Sequence, residues 1–144
     1  MKKNVNKNIK KICEMFSRVP QTTLGIRKIV LIDQKLGVAE IIYRAKKNMC
    51  HSGNIVQGGF ITGWLDAAMA LACMSKLGQD VLVLSLEIKT SFFKSVNPGL
   101  VKAKANIIKT GKSIAFLEAE LRNNENILLA KANQTAKLKY NFYK

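Results

Sequence analysis

One stretch of this 144-residue chain constrains everything around it. "GGFITGWLDAAMALACMS", residues 58–75, is apolar on nearly every face a helix could present. Such a helix has no side to wet and must be buried. Gly58–Gly59 bracket its start and Gly78 follows its end, predicting a helix over 59–75. The rest of the chain must then supply a large apolar cover. "VLVLSLEIKTSFF" from Val81, "LVKAKANIIK", "SIAFLEAELR" and "ILLAKANQTAKL" are predicted strands, separated by turns at Asn97-Pro98-Gly99, at Gly111-Lys112 and at "NNEN". In the second of them Val101, Ala103, Ala105 and Ile107 alternate with Lys102, Lys104 and Asn106. Long alternating strands with short turns make an antiparallel sheet with one covered face. In the first strand the same alternation puts Leu84, Leu86 and Ile88 on the core face and Ser85 on the other. The fold class is therefore α+β, a long curved antiparallel sheet wrapped around one central apolar helix.

The N-terminal part adds smaller elements. Residues 1–11 carry five lysines and three asparagines and read as a mobile or fraying basic lead-in. "IKKICEMFSRV" places Ile9, Ile12, Cys13, Phe16 and Val19 at helical spacing, and the helix should stop before Pro20. "IRKIVLIDQ" and "VAEIIYRA" are two strands joined by a tight turn around Lys35–Gly37, and residues 46–56 read as a loop. With no repeat or linker, residues 1–144 form one domain.

Composition narrows the function classes. Lys+Arg 24 against Asp+Glu 9 gives a net charge of +15, which favours anionic partners. Cys13, Cys50 and Cys73 are odd in number and widely spaced, so neither a disulfide framework nor a C-x-x-C metal site is expected, and a reducing cytoplasm fits best. The longest apolar stretch, Phe60 to Ser75, is interrupted by Asp66 and short for a bilayer, so no membrane span is expected. The N-terminal lysines are followed by no apolar core and do not read as a secretory signal.

The interruption is itself informative. Between Lys47 and Lys76 the only formally charged side chain is Asp66, set among Trp64, Leu65, Ala67, Ala68 and Met69. Burying an unpaired carboxylate is costly, so Asp66 either finds water or a lysine at a helix edge, or it is kept for chemistry. Apolar neighbours would make it a stronger base, competent as a nucleophile or as the base for a water. Gly58 and Gly59 allow close approach of a ligand, and a helix start leaves N–H groups unpaired in a partly positive field suited to an oxyanion.

"HSGNIVQGGFITGWLDAAMALA" resembles the signature of hotdog-fold acyl-CoA thioesterases, specifically the phenylacetyl-CoA thioesterase-like group, whose pattern is close to N-x-x-G-x-x-H-G-G-x-x-x-x-L-x-D. The order of elements agrees, and "SIAFLEAELRNNENILLAKANQTAKL" resembles the group's C-terminal strands, so the similarity covers roughly residues 25–138. Gln57 stands where the pattern has His, Asn54 where it has the earlier Gly, and His51 where it has the leading Asn. The resemblance implies a hotdog fold, hydrolysis of an acyl-CoA thioester and no cofactor or metal. It gives Asp66 the role of catalytic carboxylate, with Gln57, Gly58 and Gly59 binding the thioester carbonyl. His51 and Asn54 fall in the same substrate-binding motif. Ser85 sits where some members place a hydroxyl that orients water. Lys94, Lys112 and Arg122 are candidates to meet the phosphates of coenzyme A.

A ruler adds the oligomer. Nine residues separate Gln57 from Asp66, about 13 Å along a helix, too far for both to act on one carbonyl in a single chain. If both are catalytic, a homodimer or dimer of dimers must complete the active site at the subunit interface, with Gln57 of one subunit facing Asp66 of the other. Other features read blandly. His51 beside Cys50 is no catalytic pair, because adjacent residues rarely face each other. "TGKS" at 110–113 lacks the earlier glycine of a phosphate loop, having Asn106 there, and marks a hairpin turn. Trp64, Phe92 and Phe93 would line an aromatic or an aliphatic acyl pocket equally well. Two alternatives compete: a non-catalytic acyl-CoA-binding or regulatory hotdog protein, and a charge-driven nucleic-acid-associated protein. The latter lacks the interleaved aromatics of a single-strand binder, so no specific nucleic-acid partner is expected.

Overall fold

The structure is a computed structural model that describes residues 2–141, with side chains described from residue 8 onward. Helix α1 spans Lys2–Phe16. It therefore runs through the basic lead-in, where no glycine or proline interrupts and lysine favours helix. Ile12 and Phe16, four apart on one face, are its buried anchors. The helix ends before Val19, which is 78% exposed instead of lying on the apolar face. Ser17 Oγ donates to Cys13 O at 2.9 Å, and turns through residues 17–25 carry the chain back toward the sheet.

Strands β1 (Ile26–Asp33) and β2 (Val38–Ala45) form the expected hairpin. Its turn is closed by the Gly37 N–H donating to Asp33 O at 2.8 Å and the Leu36 N–H donating to Asp33 Oδ1 at 2.9 Å. Gly37 has φ +70°, and a Cβ there would lie 2.7 Å from Ile107 Cδ1, so both conformation and space demand glycine. The segment read as a loop is more ordered: two short 3-10 turns, Lys47–Met49 and Ser52–Asn54, alternate with β3 (Cys50–His51) and β4 (Ile55–Val56), which pair with each other.

Helix α2 spans Gly58–Leu77, and the Gly78 N–H closes its end on Met74 O at 2.8 Å. By length and composition it would reach across a bilayer, contrary to the shorter run expected, but its apolar faces are occupied by protein. Four long strands follow: β5 (Leu82–Phe92), β6 (Gly99–Thr110), β7 (Ile114–Asn123) and β8 (Leu128–Lys139). The six-stranded sheet has the order β1-β2-β6-β7-β8-β5, antiparallel throughout. Its inner face lies on α2, and much of that face is alanine (Ala103, Ala105, Ala119, Ala130, Ala132, Ala136), which lets helix and sheet approach closely. Against this floor Trp64, Leu65, Met69 and Leu71 are fully buried, each large apolar side chain contributing about 1.5–3 kcal/mol. This is the hotdog architecture that the resemblance implies.

Strand β5 departs from simple alternation at a point that bears on Ser85. The pairing of β5 with β8 slips between Ser85 and Glu87, leaving Leu86 as an extra residue. The bulge reverses the pleat. Ser85, opposite the buried Ala136, faces inward, whereas Leu84 and Leu86 are 41% and 59% exposed. The expected placement of Leu84, Leu86 and Ser85 is thus inverted, while Ile88, beyond the bulge and opposite Gln134, packs against the core.

Candidate functional site

The inward turn of Ser85 brings it to Asp66. Its hydroxyl donates to Asp66 Oδ1 at 2.9 Å. A third residue joins them: Gln134 on β8, only 2% exposed, donates through Nε2 to the same Oδ1 at 2.6 Å and to Ser85 Oγ at 2.6 Å. The triangle is self-consistent, because Nε2 carries two hydrogens and the hydroxyl both donates and accepts. Among the described residues Asp66 has no ion-pair partner, so the lysine-paired alternative does not hold. The carboxylate is half-buried near the sheet edge, with the exposed Ser85 beside it.

Behind the triangle the core is closely packed. Trp64 stacks on Tyr43 with ring centroids 5.7 Å apart, and its Nε1 donates to Leu24 O at 2.7 Å. Burial, with a lesser push from the Asp66 charge, drives the Tyr43 phenol far above its ordinary range, so it stays neutral. Trp64 is fully enclosed and is not among the residues lining the groove at the start of α2, where Phe92 and Phe93 lie.

The start of α2 forms a second, separate arrangement. Gln57 caps the helix in extended conformation with no side-chain cap hydrogen bond; the Phe60 N–H donates to Gln57 O at 3.0 Å, and the Gly58 and Gly59 N–H groups keep no intrahelical partner. A Cβ on Gly59 would lie 2.8 Å from Gln57 Oε1, so glycine there lets the glutamine side chain lie over the first turn. A Cβ on Gly58 would lie 3.1 Å from Phe92 Cζ. Beside this turn lies an open groove of about 440 Å³, lined by His51, Gly58, Ile61, Phe92, Phe93 and Lys94 among others.

Several expected residues are thus brought together and others are not. His51, Gly58 and Lys94 share the groove. Asn54 lies apart from the groove lining: it adopts φ +61°, and its carbonyl accepts from Asn97 Nδ2 at 3.2 Å. Lys94 follows the end of β5 that pairs with Ala130, whereas Lys112 precedes the end of β7 that pairs with Lys137. The two lysines therefore sit at opposite ends of the sheet and cannot grip one phosphate chain within one subunit. Arg122 is occupied, holding both Glu120 oxygens at 3.0 Å and Asn126 O at 2.9 Å. Sequence reading missed Gln134, although a signal existed: it is the one polar residue in the inward stripe Ala130, Ala132, Gln134, Ala136, Leu138.

The fold is a hotdog sheet on a central helix that carries one carboxylate, anchored by two neutral donors. Residues 53–130 match the thioesterase superfamily, and the chain belongs to that family. Among relatives, TV1331 of Thermoplasma volcanium, named as a candidate esterase, is 29% identical over 96 residues, 67% of this chain and 71% of that protein. The conserved protein PA5202 of Pseudomonas aeruginosa is 28% identical with TM-score 0.77, covering 85% of this chain and 94% of that one. The PaaI protein of the E. coli phenylacetic acid degradation operon shares the fold at TM-score 0.82 and 20% identity, covering 95% and 94%.

Proposed function

We propose that the protein is an acyl-CoA thioesterase, hydrolysing an acyl-coenzyme A to the free acid and CoA. Family membership supports thioester or ester hydrolysis in general. The observation that carries the finer reading is the Asp66 carboxylate, held by two neutral donors and, among the described residues, paired with no cation. A carboxylate so placed has one oxygen left to attack a carbon or to accept a proton from a water.

The donors for the developing oxyanion lie at Gly58 and Gly59, with Gln57 able to donate its amide to the same oxygen. His51 and Lys94 flank the groove mouth, where the anionic end of CoA would be favoured, and Phe92 and Phe93 offer apolar surface to the acyl chain. The two half-sites are separated along α2, which supports a homo-oligomer, dimer or dimer of dimers, with the site shared between subunits. Strand β5 adds to this support. It is the sheet edge, pairing on one side only with β8. Antiparallel pairing of two such edges about their middles would bring each Ser85 end toward the partner's Phe92 end. We place the protein in the cytoplasm, where its three free cysteines stay reduced.

Thiol release from a panel of acyl-CoAs, short, long and aromatic, tests this reading. Turnover abolished by Asp66→Asn supports it. Saturable acyl-CoA binding with no thiol release at any chain length would instead establish the non-catalytic reading, for which Gln57 in place of the family histidine is the motive.

A further inference from the structure

The triangle at Asp66 contains an asymmetry. Both hydrogen bonds to the carboxylate end on Oδ1, and among the described residues Oδ2 accepts none. The anchoring amide is also costly to its own strand. Gln134 Oε1 is buried without a hydrogen-bond partner among the described residues, a desolvation loss with nothing to offset it. The reverse orientation of the amide would set two acceptors 2.6 Å apart, so Nε2 must face the carboxylate. Its neighbours on the inward face of β8 are Ala132 and Ala136, and an apolar side chain would fill the same place without an orphaned oxygen. Packing alone does not account for a glutamine here.

We infer that Gln134 is a positioning residue for the hydrolysis: with Ser85 it clamps Oδ1 so that Oδ2 is the reacting oxygen. The inference rests on Asp66 being the catalytic carboxylate. In the general-base route a water gives its proton to Oδ2 as its oxygen bonds to the thioester carbon. The C–S bond then breaks, and the CoA sulfur leaves with the electron pair and takes the proton. In the nucleophilic route Oδ2 itself bonds to that carbon, the sulfur leaves, and water cleaves the resulting anhydride. Either way a partial rotation of the carboxylate plane would turn the unclamped oxygen away from the thioester carbon, and Gln134 opposes it by donating to Oδ1 and to the hydroxyl that donates to Oδ1.

The test uses the full chain and whichever of hexanoyl-CoA or benzoyl-CoA it cleaves faster. Gln134→Met keeps the length and removes the donors. It should lower kcat by about ten- to a hundredfold with KM within about twofold, the range for a misplaced reacting group. Gln134→Glu supplies a donor only when one of the paired carboxyls is protonated, since like charges in one site disfavour double ionisation. Its activity relative to parent should therefore fall as pH rises. From strand β2 the neutral Tyr43 phenol feels the Asp66 charge. Glu87, Lys89, Lys131 and Lys137 alternate onto the outer face of β5 and β8, and Lys76 lies almost three turns along α2. A steady parent-to-variant ratio across pH would mean a structural role for Gln134 and overturn the inference, as would unchanged kcat in Gln134→Met. Near-UV circular dichroism normalises each rate to folded protein. If Asp66→Asn retains full turnover in the same assay, the thioesterase mechanism through Asp66 fails; if Asp66→Asn is dead and Gln134→Met is not, only the positioning role fails.

Discussion

The two halves of helix α2 are built on opposite plans. At its start the backbone is exposed: glycines, an extended cap residue and N–H groups without intrahelical partners face an open groove. Two turns further on, the side chain is the instrument, and Asp66 is fixed by donors from two strands against a fully enclosed Trp64. On the proposed function the first end would stabilise charge without supplying a base, and the second would supply the base without oxyanion donors. The proposed homodimer would join the two.

The largest effect should come from breaking the second half. Asp66→Asn is expected to lower turnover at least about a hundredfold, as for positioned acid–base groups, while thermal melts show the fold retained. Parental thiol release by that variant would remove the basis for distinguishing the two ends. The first half breaks through Gly58→Val, whose added carbons would collide with the Phe92 ring. Mixing and refolding that variant with Asp66→Asn sharpens the comparison. About half of the dimers should be mixed, each with one intact site, so activity should recover to about a quarter of parental. Mixed dimers verified by mass yet inactive would place both halves within one chain.

Gln57→Ala should cost less, about tenfold, because backbone donors remain at Gly58 and Gly59. Gln57→His should keep or raise activity, and the parental pH–rate profile should show no histidine-like limb that Gln57→Ala removes. Complete inactivity of Gln57→His would mean the groove is shaped for glutamine. The outer face of the sheet is the control, with the smallest effect. Lys131, and then Asn106, hold the Glu118 carboxyl below its ordinary range. A lowered value contributes stability above the ordinary carboxylate range, lost as pH falls through the folded value. Glu118→Gln should flatten that acid dependence in urea melts by less than about 1 kcal/mol and leave turnover alone.

Much of this fold is legible in the sequence because its two periods are clean. An all-round apolar helix and four alternating strands leave one arrangement open, and the boundaries of α2 follow from Gly58 and Gly78. Asp66 is legible for the same reason, as a charge where the pattern forbids one. The failures are equally local. Alternation assumes an unbroken pleat, so the extra residue Leu86 inverted the reading of Ser85, which only family resemblance pointed toward the site. Gln134 was hidden because strand patterns tolerate a polar residue, and nothing in one-dimensional spacing says that residue 134 meets residue 66. Lys94 and Lys112 were grouped by charge alone, and register separates them.

Trp64 is the single tryptophan of the chain, two residues before Asp66, stacked on a neutral phenol and tethered to Leu24. The protein therefore carries a built-in optical probe beside the Asp66 carboxylate. Its emission should be that of an indole shielded from water, unchanged by salt and by soluble quenchers, and should redden only when helix and sheet part. Unfolding, and any repacking caused by substitutions around Asp66, can thus be followed by intrinsic fluorescence without a label.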